Sequence, residues 1–472
     1  MNKQNVYKQS VNRQSAKTAG ELIQQYQAEG VRRVKLAVCD IDGVLRGKYI
    51  SMEKFAAITE GTGGFCDCVL GWDVNDELYD NATFTGWHTA FPDALFRLDL
   101  ATERRLLDEN NIPLFLGEFV TSDQQTPHGI CPRTRLQQVL LALRQEGFAA
   151  KMAFEYEFFI FDETPESIRA KNYQNLKPLS PGNFGYSIMR TGAHADLFNE
   201  FMDFCEDHDF ALEGLHCETG PGVWEGAITV DDALAAADKA VLFKTLAKSF
   251  FARKSLVATF MAKWSMDYPG QSGHCHQSLT HIASGASAFH SADGAHGMSS
   301  VQRAYVAGQQ HYMREFLAMT SPTINSYTRL VKGAWAPTAA TWGVENRTTA
   351  LRVIPGSAKS QRVEFRVGSA DANPYLVAAA TLGAGLLGIR EQRVLGEPVV
   401  GDAYAIQNEL PENWQLPSNL RDANRALAAS SAARELFGVE FVEHFVASRD
   451  WEVRQYERQV TDWQLQRYFE II

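Results

Sequence analysis

The chain has 472 residues, 45% of them hydrophobic, with a net charge of −11 and a pI near 5.6. A chain of that length buries a large core, arranged as one large domain with a smaller one or as two or three domains. Its acidic balance excludes a nucleic-acid groove or an anionic membrane surface as the main partner, since both need clustered Lys and Arg, and it leaves small-molecule chemistry.

The opening MNKQNVYKQSVNRQSAKTAG is polar and lacks the apolar region of a secretory signal. No run approaches the ~18 apolar residues that a membrane helix needs. Residues 1–18 are therefore read as a polar tail, and the protein is expected in the cytoplasm. Seven cysteines are scattered along the chain without framework spacing, which fits reduced thiols. Cys66-Asp67-Cys68 lacks the second pair that structural zinc requires.

GELIQQYQAEG reads as a short helix, and VRRVKLAVCDIDGVLRGKYI as two strands bent at Gly43. The strand ending in Asp40-Ile41-Asp42-Gly43 raises the question of a phosphatase of the haloacid-dehalogenase type, in which the first aspartate attacks phosphate. That chemistry also needs a later Ser or Thr motif, a Lys and an acidic pair after a strand, none of them convincing here. Residues 61–100, rich in Gly, Asp and aromatics, show little periodicity and read as irregular, site-lining loops.

PRTRLQQVLLALRQEGF places Leu136, Val139, Leu140 and Leu143 on one helical stripe between Pro132 and Gly147. The domain boundary is placed there, giving an N-terminal domain at 19–128 and a second at 129–472. Beyond it, strand-like KMAFEYEFFIF, SLVATFMAKW, GHCHQSL, LRVI and RVEFRVG alternate with helical ITVDDALAAADKAVLFKTLAKSFFA, VQRAYVAGQQHYMREFLAMT and PYLVAAATLGAGLLGIR. The pattern predicts α+β, with the chemistry on one face of a sheet.

Four stretches carry functional side chains. Glu155 and Glu157 lie two apart in an apolar strand and so share a face; burying them together is costly unless cations such as Mg²⁺ or Mn²⁺ neutralise them. Glu218 and Glu225 flank a Gly-Pro-Gly turn that lets them converge. Gly270-Gln-Ser-Gly-His274-Cys-His276-Gln-Ser278 leads a glycine-rich loop into a strand with both imidazoles on one face, suited to a nitrogen ligand in a mostly oxygen site. Arg329, Arg347, Arg352, Arg362 and Arg366 fall close together near Glu364, and guanidinium forks match phosphate and carboxylate groups. A solvated polar edge, a surface loop and surface ion pairs are the bland alternatives for these stretches taken singly.

Seven landmarks in order resemble the glutamine synthetase family over nearly the whole chain. They are the paired-Glu strand, the Gly-Pro-Gly loop before a Glu, the glycine loop before His-x-His, Asn325-Ser-Tyr-x-Arg-Leu330, Asn346-Arg347 with Arg352 five residues on, Val363-Glu-x-Arg366, and Ala372-Asn-Pro-Tyr-Leu376. The resemblance implies a β-grasp N-terminal domain and a catalytic α+β domain with an antiparallel active-site sheet. It puts Glu157, Glu218 and Glu225 on one divalent metal and Glu155, His274 and Glu364 on another. It implies Arg329, Arg366 and the Gly270 loop at glutamate; Arg347 and Arg352 at the transferred phosphate; and His276, Ser278, Lys359 and Arg362 towards ATP. It also implies γ-glutamyl phosphate as intermediate and a homo-oligomer, two stacked hexamers. There is no Walker A loop, since Gly43-Val-Leu-Arg-Gly-Lys-Tyr49 has the wrong length and no Ser or Thr after Lys.

Three departures bear on the nucleophile and on control. Ammonia-using members read Val-Pro-Gly-Tyr-Glu-Ala-Pro after Asn-Ser-Tyr-x-Arg-Leu, and that Glu helps bind and deprotonate ammonium; here Trp335 stands at its position. Trp cannot accept a proton but offers an apolar wall or π-face; the alternative is a structural core Trp. The Phe-Asp-Gly-Ser-Ser segment is missing, with Gly71-Trp72-Asp73-Val74-Asn75-Asp76 its nearest counterpart. Both changes imply an organic amine in place of ammonia, held by Trp335, Trp72 and Tyr186 if apolar, or with help from Asp73, Asp76 or Glu77 if a diamine such as putrescine. A hydrophobic alkyl or aryl monoamine is the expectation; an ammonia-using synthetase and a non-catalytic structural relative are the alternatives. Finally, Asn408-Glu409-Leu410-Pro411 has no Tyr where some bacterial members are adenylylated.

Overall fold

The computed structural model describes residues 17–123 and 126–472; most of the proposed polar tail lies outside the described residues. Thr18 closes a capping box with Glu21 on the first helix, Ala19–Ala28.

The first sheet is built from β1 (Arg33–Cys39), β2 (Leu45–Ser51), β3 (Gly63–Cys66), β4 (Asp93–Leu98), β5 (Arg104–Leu106) and β6 (Ile112–Val120). Its order is β2-β1-β6-β4-β3, with β5 beside β6; β1 runs parallel to β6 and antiparallel to β2. This is the mixed, β-grasp-like sheet expected, except that the stretch taken as irregular loop supplies β3 and β4. Strand alternation sends β1 into two cores. Val34, Leu36 and Val38 join Phe55, Phe96, Phe115 and Phe119 of the first unit, whereas Ala37 and Cys39 join the large core of the second.

Asp40 lies buried in the β1–β2 turn, where its carboxylate accepts from the backbone N–H of Asp42 (3.1 Å) and Val44 (2.8 Å) and from Arg46 Nε (2.8 Å). Gly43 has φ +85°, and a Cβ there would sit 3.0 Å from Asn373 Cα. Asn373 Nδ2 in turn donates to the carbonyls of Asp40 and Ile41. Asp40 is thus held by its own turn, by Arg46 and by Asn373, and it shapes the chain, in keeping with the missing phosphatase motifs.

The second sheet contains β7 (Phe148–Phe161), β8 (Leu212–Cys217), β9 (Val223–Ile228), β10 (Asp231–Asp232), β11 (Val257–Thr259), β12 (Gly273–His281), β13 (Trp342–Val344), β14 (Leu351–Ile354) and β15 (Arg362–Phe365). Its order is β13-β14-β15-β12-β7-β9-β8, with β10 and β11 also on β7. All of these pairs are antiparallel except β13–β14 at the edge, so the strands that carry the functional side chains form the antiparallel sheet expected. Phe154, Tyr156 and Phe158 pack beneath the sheet, with Phe158 5.9 Å from Phe243 of the helix Ala233–Arg253. The intervening Glu155 and Glu157 are thereby turned to the open face. Behind the sheet the helices Ser300–Thr320 and Pro374–Arg390 meet where Gly308 faces Gly388; a Cβ on Gly308 would lie 2.6 Å from Gly388 Cα.

The long helix Val439–Glu457 ties the two units together. Arg449 pairs with Asp42 (2.6 Å), Trp451 Nε1 donates to Asp73 (2.9 Å), and the His444 ring bonds the Leu70 carbonyl (2.7 Å). Arg133, almost wholly buried, joins Asp99, Glu118 and Asp238 at 2.6–3.0 Å and so links the first sheet to two helices of the second unit.

Burial pushes His444 and His128 down to about 4 from an ordinary 6.5. Because the folded-state values are depressed, these imidazoles cost nothing above pH 6.5 and withdraw stability as pH falls towards 4. The loss approaches about 3 kcal/mol for each once both states are below their titration. Denaturant unfolding measured from pH 8 to pH 4.5 is expected to show this decline, and His444→Gln, which keeps a donor for the Leu70 carbonyl, is expected to flatten it by about one proton. A variant slope equal to the wild-type slope would mean that His444 is not kept neutral.

Candidate active site

Strand register assembles the site. Across β15, β12, β7 and β9, His276 lies opposite Glu364, His274 opposite Glu155, and Glu157 opposite Glu225; on the flanks Arg352 pairs with Glu364 and His216 with Glu225. Period-two alternation then points these side chains to one face. All of them but His276 line a cleft of about 670 Å³ together with Tyr186, Glu218, Gly270, Arg329, Trp335, Arg347 and Arg366.

Five carboxylates on one face repel one another. Burial, with the charges of Glu157, Glu155, Glu218 and Glu364, pushes Glu225 well above the usual carboxylate range. Burial also raises Glu157, against the Ser272 backbone N–H, which donates to its Oε2 at 2.6 Å, and the nearby Arg329. Glu364 goes the other way: burial would raise it, but His274, Arg366, His276 and Arg352 hold it down to about 2. Arg366 Nη1 lies 2.5 Å and Arg352 Nη1 3.0 Å from its two oxygens. His274 Nδ1 is 3.4 Å from Glu364, and its Nε2 is buried without a hydrogen-bond partner among the described residues. His276 Nε2 is 3.1 Å from Glu155.

Hard carboxylate oxygens with a few imidazole nitrogens suit Mg²⁺ or Mn²⁺, whose charge would relieve the repulsion at Glu157 and Glu225. The distances group Glu155 with His276 and Glu364, and Glu155 with Glu225 and His274. This differs from the partition expected from the sequence, which kept Glu155 off the Glu225 side and gave His276 no metal role. The reason is register: β7 lies between β12 and β9, so Glu155 faces both neighbours.

Gly270 is required by close packing, since a Cβ would lie 2.6 Å from Arg329 Cγ and 2.7 Å from the Ala262 carbonyl. Arg329, buried, donates to the carbonyls of Val367 (2.9 Å) and Arg366 (3.2 Å), and burial lowers its guanidinium to about 10. Its segment is pinned by Asp371, which accepts from Thr323 Oγ1 (2.7 Å) and Ser369 Oγ (2.5 Å). Arg347 is exposed at the cleft. Trp335 stands at its mouth, 61% exposed with φ +58°, so the alternative of a core Trp is overturned.

The other expected residues sort by distance from the cleft. Arg362 Nε donates to His276 Nδ1 (3.2 Å), placing both beside Glu155, and Ser278 follows further along β12. Lys359 is exposed beside the Ser357–Ser360 turn and does not line the cleft. Trp72 and Asp73 do not reach the cleft of their own chain. Asp73 accepts from the backbone N–H of Asn75 and Glu77 and from Trp451, and Trp72 lies under Arg46. Asp76 is likewise taken by Arg46 at 2.7 Å.

Sequence reasoning missed His216 and Glu345. His216 Nε2 is 3.1 Å from Glu218 and 3.7 Å from Glu225, and Tyr186 stacks on its ring at 4.3 Å and 10°. Its position two residues before Glu218 was the available signal. Glu345, held in a left-handed conformation, bonds Arg352 Nε at 3.0 Å and leaves no such mark in the sequence.

A sheet face that gathers five carboxylates, two imidazoles and four guanidiniums in one cleft is that of an enzyme handling anionic substrates with cations. Residues 129–468 match the glutamine synthetase catalytic domain. Type-1 glutamine synthetase 2 of Dictyostelium discoideum is 43% identical over 93% of this chain and 84% of its own length. A glutamate–isopropylamine ligase of Pseudomonas sp. is 35% identical, covering 93% of this chain and 95% of its own. A γ-glutamylethanolamide synthetase of Streptomyces coelicolor is also 35% identical, over 94% of each. The solved apo structure of GmaS superposes with a TM-score of 0.81 at 27% identity, covering 95% of this chain and 99% of its own. The chain belongs to the glutamine synthetase family and is an ATP-dependent ligase that forms carbon–nitrogen bonds.

Gly270→Ala is expected to displace Arg329 and to reduce phosphate release in a steady-state ligase assay by on the order of a hundredfold, the cost of misplacing a binding group by about 1 Å. Wild-type turnover in this variant would show that Arg329 can be moved without consequence.

Proposed function

We propose that this protein joins the γ-carboxylate of L-glutamate to an organic amine, consuming ATP and releasing ADP and phosphate. The observation that carries this reading is Trp335 at the mouth of the cleft, where ammonia-using relatives present a glutamate. In the first step a γ-carboxylate oxygen bonds the terminal phosphorus of ATP as the bridging P–O bond to ADP breaks, giving γ-glutamyl phosphate. In the second the amine nitrogen bonds the acyl carbon, the acyl C–O bond breaks, phosphate leaves and the nitrogen sheds a proton.

Arg329, Arg366 and the Gly270 loop hold the glutamate. Arg347 is free to meet the transferring phosphoryl group, while Arg352 and Arg366 brace Glu364. His276, Arg362, Ser278 and Lys359 lie towards the nucleotide. Divalent cations, Mg²⁺ or Mn²⁺, held by Glu155, Glu157, Glu218, Glu225, His274, His276 and Glu364, would neutralise phosphate charge when bound. Trp335 and Tyr186 offer apolar ring faces at the cleft, which favours a hydrophobic alkyl or aryl monoamine. A diamine is less well served, because Asp73 and Asp76 already have partners in their own chain. A homo-oligomer of two stacked hexamers in the cytoplasm completes the proposal.

A second reading, glutamine synthesis from ammonia, draws on the 43% identical relative that bears that name. Retention of all six carried-over metal residues argues against a non-catalytic role. An amine panel assayed by phosphate release separates the readings: turnover is expected to be fastest with an apolar monoamine, and faster turnover with ammonia than with every amine would decide for the second. Trp335→Glu is expected to raise ammonia use relative to the best amine at least tenfold, since it restores a carboxylate for the ammonium; an unchanged ratio would remove Trp335 from the amine site.

A further inference from the structure

Of the seven cysteines, five are buried; the two that are partly exposed are Cys66 and Cys68, and their sulfurs lie 3.1 Å apart. That is about 1 Å beyond a disulfide bond and shorter than ordinary sulfur–sulfur contact. The approach is built by the backbone. Cys66 ends β3, opposite Asp93 of β4, and Cys68 sits in the single 3-10 turn Asp67–Leu70 that follows. The intervening Asp67 is turned inward and accepts from Thr85 Oγ1 at 2.8 Å, so the two cysteines project together to the other side.

We propose that Cys66 and Cys68 are a modification site: a dithiol that closes to an intrachain disulfide when met by a peroxide. The Cys66 thiolate attacks one peroxide oxygen, the O–O bond breaks, and a sulfenic acid and water form. The Cys68 sulfur then bonds the Cys66 sulfur and expels the hydroxyl as a second water. Two thiols and one hydrogen peroxide thus give one disulfide and two waters. Cys68 serves as the second sulfur, because burial, with Cys66 and Asp67 beside it, pushes its thiol up to about 12 and keeps it protonated until Cys66 has reacted.

Ring closure across a single residue tightens the turn that leads into Trp72. The Cys68 carbonyl accepts the Gly71 N–H at 2.8 Å, and Gly71 has no room for a side chain, a Cβ there meeting Thr85 Cγ2 at 2.3 Å. Movement of Cys68 is therefore passed to Gly71 and Trp72 and cannot be absorbed between them.

Peptide mass spectrometry of the full-length protein tests the site, because trypsin releases residues 55–97 as one peptide containing these two cysteines and no other. After treatment with hydrogen peroxide and alkylation of free thiols, that peptide is expected to lose two hydrogens and to escape alkylation before any other cysteine does, with both reversed by dithiothreitol. In Cys68→Ser a dimedone adduct is expected at Cys66. Alkylation of both cysteines in the peroxide-treated wild type, or oxidation of a buried cysteine first, would overturn the proposal; this wild-type arm stands even if the variant fails to fold.

Discussion

Five glutamates brought to one face of one sheet are the constraint to which the rest of this structure answers. Register across β9, β7, β12 and β15 brings Glu155, Glu157, Glu225 and Glu364 together, and Glu218 joins them from the turn after β8. The molecule meets that cost unevenly. At Glu364, two guanidiniums and two imidazoles hold the charge in place, so it is an anion before any substrate arrives. At Glu157 and Glu225 compensation is incomplete, which marks where a cation gains most by binding. The arginines play a double part, as counter-charges to the carboxylates and as groups facing anionic substrates.

The parts of this arrangement that follow one-dimensional rules were legible in the sequence. Alternation in FEYEF put Glu155 and Glu157 on one face, Pro132 and Gly147 bracketed a helix, and a glycine-rich loop led into the strand of His274 and His276. What could not be read was pairing between distant strands. Nothing local says that β7 stands between β12 and β9, and so the grouping of Glu155 with both His276 and Glu225 was missed. Glu345 became relevant only through a left-handed turn that brings it back to Arg352. The long irregular stretch misled for a related reason: β3 and β4 have weak alternation because Gly63 and Gly64 crowd against Phe96 and Asp93 in place of side chains of their own.

Trp335 and Asp73 show how one sequence argument can meet two structural fates. Both were singled out because they depart from a pattern or stand near one. Trp335 lies exposed over the cleft, with its backbone in a conformation that holds the ring at the mouth. Asp73 spends its hydrogen-bonding capacity on its own turn and on Trp451. Position along the chain does not distinguish them; exposure and hydrogen bonds already made do.

The helix Val439–Glu457 has a consequence for how the molecule is made. Its bonds to Asp42, Leu70, Asp73, Asp80 and Asn81 span 366 to 407 residues of sequence. The ribosome therefore emits the first sheet long before the helix that satisfies its outer side exists. One face of β1 can close early on Phe55 and Phe115, whereas the other must wait for the second unit. Until Val439–Glu457 has been made the nascent chain carries an unfinished surface, and that helix acts as the latch of cotranslational assembly.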